Sequence, residues 1–121
     1  MYGIDRRYLD RFEIPDAVVI YRFAGANEFR GSLADITKIS VRFETMHAFN
    51  NGDHIELDII IPEKEKISVR GHVVRTIDSE TNLPLYTAVQ FLPFGSDERY
   101  NSMESYSQLN SLKDEYMKKV A

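Results

Sequence analysis

Two short polar segments carry side chains suited to binding an anionic ligand. Arg6-Arg7-Tyr8-Leu9-Asp10-Arg11 places guanidinium groups four residues apart, in a stretch with little apolar content. Asp35-Ile36-Thr37-Lys38-Ile39-Ser40 places a carboxylate and a hydroxyl two residues apart, which on an extended strand point to the same side. Guanidinium groups bind phosphate oxygens and the O6/N7 edge of guanine, and short polar side chains can bind its other edge. Together the segments predict a site for an anionic guanine nucleotide.

The composition limits the kind of protein that can carry such a site. A chain of 121 residues, 43% hydrophobic and 28% charged, is typical of one folded domain. The net charge of −4 argues against binding long nucleic acid, because that affinity depends on many phosphate contacts. Cysteine is absent, which excludes disulfides and fits a cytoplasmic location. No apolar run approaches the roughly 20 residues of a membrane span, so we expect no membrane insertion.

Alternating apolar and polar residues predict the strands that must position the two segments. This alternation, or a run rich in β-branched and aromatic residues, is typical of strands over residues 16–23, 28–34, 39–44, 54–61, 67–77 and 86–94. The turn at Asn50-Asn51-Gly52-Asp53 separates the third strand from the fourth, and Gly71 indicates a bulge or a close backbone contact. Six strands at short, regular spacing predict a closed antiparallel barrel over residues 16–94, entered through a mobile N-terminal arm over residues 1–15.

A helical period replaces the strand pattern after the last predicted strand. Ser96-Asp97-Glu98 has the composition of a helix start, so we expect a C-terminal helix over residues 96–119. Its apolar residues recur at helical spacing: Met103, Tyr106, Leu109, Leu112 and Tyr116. This stripe suits packing against the barrel and packing against a second copy equally well, which leaves a homodimer open.

The chain resembles a PilZ domain, the small β-barrel receptor for the bacterial second messenger cyclic di-GMP. Arg7-Tyr8-Leu9-Asp10-Arg11 is similar to the RxxxR motif of that family, with Arg6 as a further adjacent arginine. The segment from Asp35 to Ser40 is similar to its (D/N)xSxxG motif. Gly71-His72-Val73-Val74-Arg75 and Ala88-Val89-Gln90-Phe91-Leu92 resemble the closing strands of the family. The resemblance covers nearly the whole chain.

The resemblance implies how the site residues would act. Arg7 and Arg11 would clamp the guanine edges and phosphates of cyclic di-GMP, while Asp35 and the hydroxyl of Thr37 would bond the ligand from the barrel surface. Ser40 occupies the position of the motif's glycine. If that position requires a positive φ, serine would cost on the order of 1 kcal/mol and weaken binding several-fold.

The function implied by the resemblance is a single-domain receptor that relays the signal to an effector protein controlling motility or biofilm formation. We expect no enzyme, because the sequence has no nucleophile elbow, P-loop or dinucleotide fingerprint. We expect no cofactor and no metal site, because the histidines are scattered. Glu56 and Asp58 are interpreted as the solvent side of an amphipathic strand.

Other interpretations of the same residues stay open. Asp35 and Thr37 could simply cap a turn. The whole chain could be a degenerate PilZ adaptor that no longer binds nucleotide and uses its helix stripe for protein–protein interaction. A small barrel that binds single-stranded nucleic acid would need a continuous basic groove, which the net charge of −4 disfavours.

Overall fold

Six antiparallel strands close into a barrel in the computed structural model, which describes residues 11–25, 27–77 and 85–117. The elements in chain order are β1 (Val18–Arg22), β2 (Phe29–Ile36), β3 (Ser40–Thr45), β4 (His54–Ile60), β5 (Ile67–Ile77), β6 (Leu85–Phe91) and α1 (Met103–Met117). Around the barrel the strands follow the order β1-β2-β3-β6-β5-β4. The predicted six-stranded antiparallel barrel with a C-terminal helix is therefore confirmed. Strand bounds differ from the predicted ones only at their ends, most of all for β6, which ends at Phe91 rather than at residue 94.

The barrel interior is filled by the apolar members of each alternating strand. Because successive side chains point to opposite faces, each strand sends every second residue inward. The fully buried strand residues include Val19, Tyr21, Ile36, Val41, Phe43, Leu57, Ile59, Ile67, Val73 and Val89. Each large side chain buried in this way stabilises the fold by about 1.5–3 kcal/mol. This core leaves the intervening polar residues on the outer surface, where a ligand can reach them.

The segment before β1 belongs to the core as well. Phe12 is 4% exposed and Ile14 is 3% exposed. Phe12 also exchanges two backbone hydrogen bonds of 3.0 Å with Ile36 at the end of β2. The prediction of a mobile arm is therefore wrong for residues 12–14, because two apolar side chains anchor this stretch to the barrel. The preceding part of the predicted arm, residues 1–10, lies outside the described residues.

Two β-bulges interrupt the regular pairing on one side of the barrel. The register between β2 and β3 shifts between Leu33 and Asp35, and the register between β5 and β6 shifts between Val73 and Arg75. The bulge indicated by Gly71 thus lies a few residues further along β5. Gly71 itself is a close backbone contact, since a Cβ there would collide with the carbonyl oxygen of Gln90.

The helix begins later than predicted. Residues 96–100 form bends and turns, and α1 starts at Met103 after Ser102, whose Oγ accepts a hydrogen bond of 3.1 Å from the amide of Ser105. The reason lies in Asn101, which is buried and hydrogen-bonds through its side chain to both backbone groups of Arg70, at 2.7 Å and 2.9 Å. These bonds hold the chain against β5, so that the predicted start at Ser96 is wrong.

The apolar stripe of α1 packs against its own barrel. Leu109 and Leu112 are buried in the core, and the ring of Tyr106 lies 5.3 Å from that of Phe94. Met103, which is 49% exposed, is the stripe residue that remains largely at the surface. The apolar stripe of α1 is thus mostly covered by the barrel of the same chain. No helix of the described residues has the length and apolar composition needed to cross a membrane.

Candidate nucleotide-binding site

The turn between β2 and β3 carries two of the predicted site residues. Thr37 is 4% exposed, and its Oγ1 accepts hydrogen bonds from the amides of Ile39 (3.1 Å) and Ser40 (3.0 Å). The amide of Thr37 donates to the carbonyl of Ser40 at 2.8 Å, which closes the turn. The expectation that Asp35 and Thr37 share one side of a strand is therefore wrong, because β2 ends at Ile36 and Thr37 turns inward. The hydroxyl of Thr37 caps the turn.

Ser40 fits the glycine position of the motif without backbone strain. Among the non-glycine residues that the structure describes, positive φ occurs at Asp16, Ala24 and Glu63, and Ser40 has an ordinary negative φ. Its Oγ lies 2.9 Å from Oγ1 of Thr37, within hydrogen-bonding distance. The cost that a positive φ would impose on serine therefore does not arise here.

Four residues of different strands form one row across the outer surface of the barrel. Asp35 lies opposite Arg42, Arg42 opposite Ala88, and Ala88 opposite Arg75. The two bulges make this possible, because each inserts one residue and so turns the next side chain outward. A terminal nitrogen of Arg42 donates to Oδ2 of Asp35 at 2.5 Å, and the Asp35 side chain is 13% exposed.

Two residues of this row, Ala88 and Arg75, line an open cavity of about 310 Å³. Its lining comes from the segment before β1, the β2–β3 turn and the strands β3, β5 and β6: Arg11, Thr37, Ile39, Ser40, Val74, Arg75, Ala88, Val89 and Gln90. Three predicted site residues, Arg11, Thr37 and Ser40, thus meet at one place. Asp35 does not line the cavity and lies at the other end of the row. Arg6 and Arg7 lie outside the described residues.

The lining combines the two kinds of surface that a nucleotide needs. Arg11 and Arg75 are exposed and offer planar donors to phosphate oxygens. Ile39 (36% exposed) and Val74 (44% exposed) offer apolar surface against which the face of a base can pack. Gln90 adds an amide that can both donate and accept. The cavity can therefore accommodate an anion with an attached ring system.

Sequence reasoning missed Arg75, Val74 and Gln90 as site residues. A signal was present, since Val73-Val74 interrupts the alternation of β5 with two adjacent apolar residues of which one must face solvent. Arg42 was also missed. Its partnership with Asp35 depends on the bulge at Ala34, and no local pattern in the sequence marks that bulge.

A larger cleft, of about 440 Å³, lies between the barrel and α1, and Arg22 in its lining is engaged in ion pairs. Arg22 binds Asp58 at 3.0 Å and Glu28 at 3.1 Å, and Ser68 donates to Asp58 at 2.7 Å. Burial alone would raise the pKa of Asp58, but the hydrogen bonds from Arg22 and Ser68 outweigh it and lower that pKa. Asp58 thus shares the outer face of β4 with Glu56, as expected, but it is buried there as an ion-pair partner and is not exposed to solvent. Within the described residues no acidic or histidine cluster could hold a metal ion.

Comparison with solved structures reveals the same barrel in two other proteins. The PilZ domain of YcgR from Escherichia coli, solved with cyclic di-GMP, has a TM-score of 0.68 and 12% identity, over 96% of this chain and 95% of that one. The inhibitor of motility (MotI/DgrA) from Bacillus subtilis has a TM-score of 0.62 and 18% identity, over 89% of this chain. This chain spans about half (50%) of the length of MotI. At such identities the likeness shows the fold.

The family follows from the sequence match. The profile of the PilZ domain matches residues 5–107, which is most of the chain. No significant match was found among curated protein sequences. PilZ domains are ligand-binding and adaptor domains, and they take cyclic di-GMP as a ligand rather than as a cofactor. With its barrel, its C-terminal helix and this match, the chain belongs to the PilZ domain family.

Proposed function

We propose that this protein is a receptor for cyclic di-GMP. The observation that carries the proposal is the cavity in which Arg11, Thr37 and Ser40 meet although they come from segments far apart in sequence. Both motifs that the family uses for its ligand are represented there. The membership in a family of cyclic di-GMP receptors supports the same ligand.

In the proposed binding mode, the arginines bind the negatively charged phosphates of the ligand. Arg11 and Arg75, at the edge of the cavity, bind the phosphates, and Arg7 and Arg6 of the RxxxR segment complete the clamp on phosphates and guanine. The turn at Thr37 and Ser40 forms the floor, with Asp35 beside it. Because the hydroxyl of Thr37 already accepts two amide hydrogen bonds, it contributes through the shape of the turn as well as through its own oxygen.

The relay to an effector protein is the second half of the proposal. Ligand binding orders the arginine segment over the cavity, and the altered surface is what a cytoplasmic partner recognises. Control of motility or biofilm formation is the proposed process. It is supported by the fold shared with a protein that is an inhibitor of motility.

Calorimetric titration tests the ligand directly. Cyclic di-GMP is expected to bind saturably to the wild-type chain, with GTP as a control ligand that does not bind. Arg7→Ala and Arg11→Ala are expected to lose most of the affinity while the fold survives. Arg30→Ala is the matched control, because Arg30 is exposed on β2 and does not line the cavity. Binding by Arg11→Ala that equals wild-type binding would contradict the proposed site.

The adaptor alternative has lost part of its support. It was motivated by the strain expected at Ser40 and by a free helix stripe, but Ser40 has a negative φ, and Leu109 and Leu112 are buried in the chain's own core. A flat titration of a folded wild-type sample with cyclic di-GMP would favour the adaptor nonetheless.

A further inference from the structure

The ion pair between Asp35 and Arg42 forms one end of the row whose other end, Ala88 and Arg75, lines the cavity. Asp35 belongs to the motif of the family, whereas Arg42 lies outside it. We propose that Arg42 is a positioning residue, which promotes cyclic di-GMP binding through Asp35 and does not touch the ligand. This inference rests on the proposed function, since it assigns a role within the same site.

Arg42 is held in place from two directions. Its terminal nitrogen donates to Oδ2 of Asp35, the residue directly opposite it on β2. Its guanidinium carbon lies 6.0 Å from the ring centroid of Tyr86, within the range of a cation–π contact. The hydroxyl of Tyr86 in turn donates to Glu44 at 3.3 Å. The guanidinium group therefore lies between Asp35 and Tyr86.

The hydrogen bonding of Arg42 is incomplete in this orientation. Its Nε is buried and has no hydrogen-bond partner among the residues that the structure describes. Buried donors without an acceptor are rare in folded proteins and unfavourable. The side chain nevertheless adopts the orientation in which its terminal nitrogen donates a hydrogen bond to Asp35. Because Nε is buried, an acceptor of the ligand cannot reach it either.

The pairing prepares Asp35 for an anionic ligand in two ways. An unpaired carboxylate next to a dianionic nucleotide would repel its phosphates, and the positive charge of Arg42 offsets that repulsion. The bond to Oδ2 also fixes the carboxylate group, so that Oδ1, which accepts no hydrogen bond from a described residue, stays available to a donor on the guanine edge. Arg42 thus acts on both the charge and the orientation of Asp35.

A double-mutant cycle measured by calorimetry with cyclic di-GMP tests this role. The variants are Arg42→Met, Asp35→Ala and the combination of both, with Arg30→Met as the control for loss of an arginine on the neighbouring strand. Arg42→Met is expected to weaken binding roughly 10-fold, the effect of one charge-assisted hydrogen bond. In the Asp35→Ala background, Arg42→Met is expected to cause no further loss of affinity. The control Arg30→Met is expected to bind cyclic di-GMP with the affinity of the wild type.

Each other outcome has a distinct meaning. If Arg42→Met weakens binding equally in the wild-type and Asp35→Ala backgrounds, Arg42 contacts the ligand directly and the positioning role is overturned. Unchanged affinity in Arg42→Met would also overturn the positioning role. A wild-type chain that fails to bind cyclic di-GMP would overturn the proposed function itself, and the two failures are thereby distinguished. Melting temperatures confirm that the variants fold. Arg42→Gln, which removes the charge and keeps a polar side chain, replaces Arg42→Met in the cycle should the methionine variant fail to fold.

Discussion

Phe12 and Ile36 exchange two backbone hydrogen bonds of 3.0 Å each, which join the segment before β1 to the end of β2. This bridge sets the adjacent Arg11 beside the turn that contains Thr37 and Ser40. Two motifs that lie far apart in the sequence therefore meet through a short β-bridge. The apolar side chain of Phe12 makes the bridge stable because it is buried in the barrel core.

Phe12→Ala is expected to destabilise the protein and to weaken ligand binding. Loss of a buried phenylalanine costs about 3 kcal/mol of the free energy of unfolding, and it releases the segment that carries Arg11. Chemical denaturation measures the first effect and calorimetry with cyclic di-GMP the second. Tyr100→Ala is the control, since Tyr100 is partly exposed and lies before α1. A loss of less than about 1 kcal/mol would show that Phe12 does not anchor the segment.

Arg75→Ala is expected to weaken cyclic di-GMP binding roughly 10-fold without changing stability, because it removes a phosphate-binding group from an exposed position. The measurement is calorimetric affinity together with the melting temperature. Arg99→Ala serves as the matched control, since Arg99 pairs with Asp97 in the turn before α1 and does not line the cavity. Equal affinity in Arg75→Ala and in wild type would remove Arg75 from the site.

Ser40→Gly restores the family's motif, yet it is expected to bring little gain. Serine is unstrained at this position, and the change removes the hydrogen bond between Ser40 Oγ and Thr37 Oγ1. Stability should fall by about 0.5–1 kcal/mol, from the lost bond and the added freedom of the unfolded chain. Denaturation and titration with cyclic di-GMP provide the test. An affinity gain of tenfold or more would mean that the side chain of Ser40 obstructs the ligand.

The stability contributed by the Asp58 ion pair is expected to depend on pH. The hydrogen bonds from Arg22 and Ser68 lower the pKa of Asp58, so the folded state binds this proton less readily than the unfolded state. The contribution is therefore complete above roughly pH 4 and is lost as the pH falls through the lowered pKa. The Asp58→Asn variant should lose stability at pH 7 and show a weaker acid dependence than wild type in denaturation experiments. Glu56→Gln, at an exposed position, is the control. Parallel pH profiles for Asp58→Asn and wild type would contradict this role.

The strands were predictable because their information is local. Alternation of apolar residues around Val41 and Phe43, and the turn residues at Asn50 and Gly52, specify strands and turns within windows of a few residues. The helix start at Ser96 was predicted wrongly for the opposite reason. Capping composition was present there, but the tertiary hydrogen bonds of Asn101 with Arg70 on β5 hold the chain out of the helix until Ser102.

The sequence by itself determined the barrel, its family and the residue types of the two binding motifs, because periodicity and short motifs depend on neighbours along the chain. Only the tertiary structure decided which side chains share the site. The bulges next to Asp35 and Arg75 turn these two side chains to the outer face that also carries Arg42. The burial of Phe12 holds the neighbouring Arg11 beside the β2–β3 turn. Each depends on the register between strands far apart in sequence, and a shift of one residue turns every side chain of a strand to the other face.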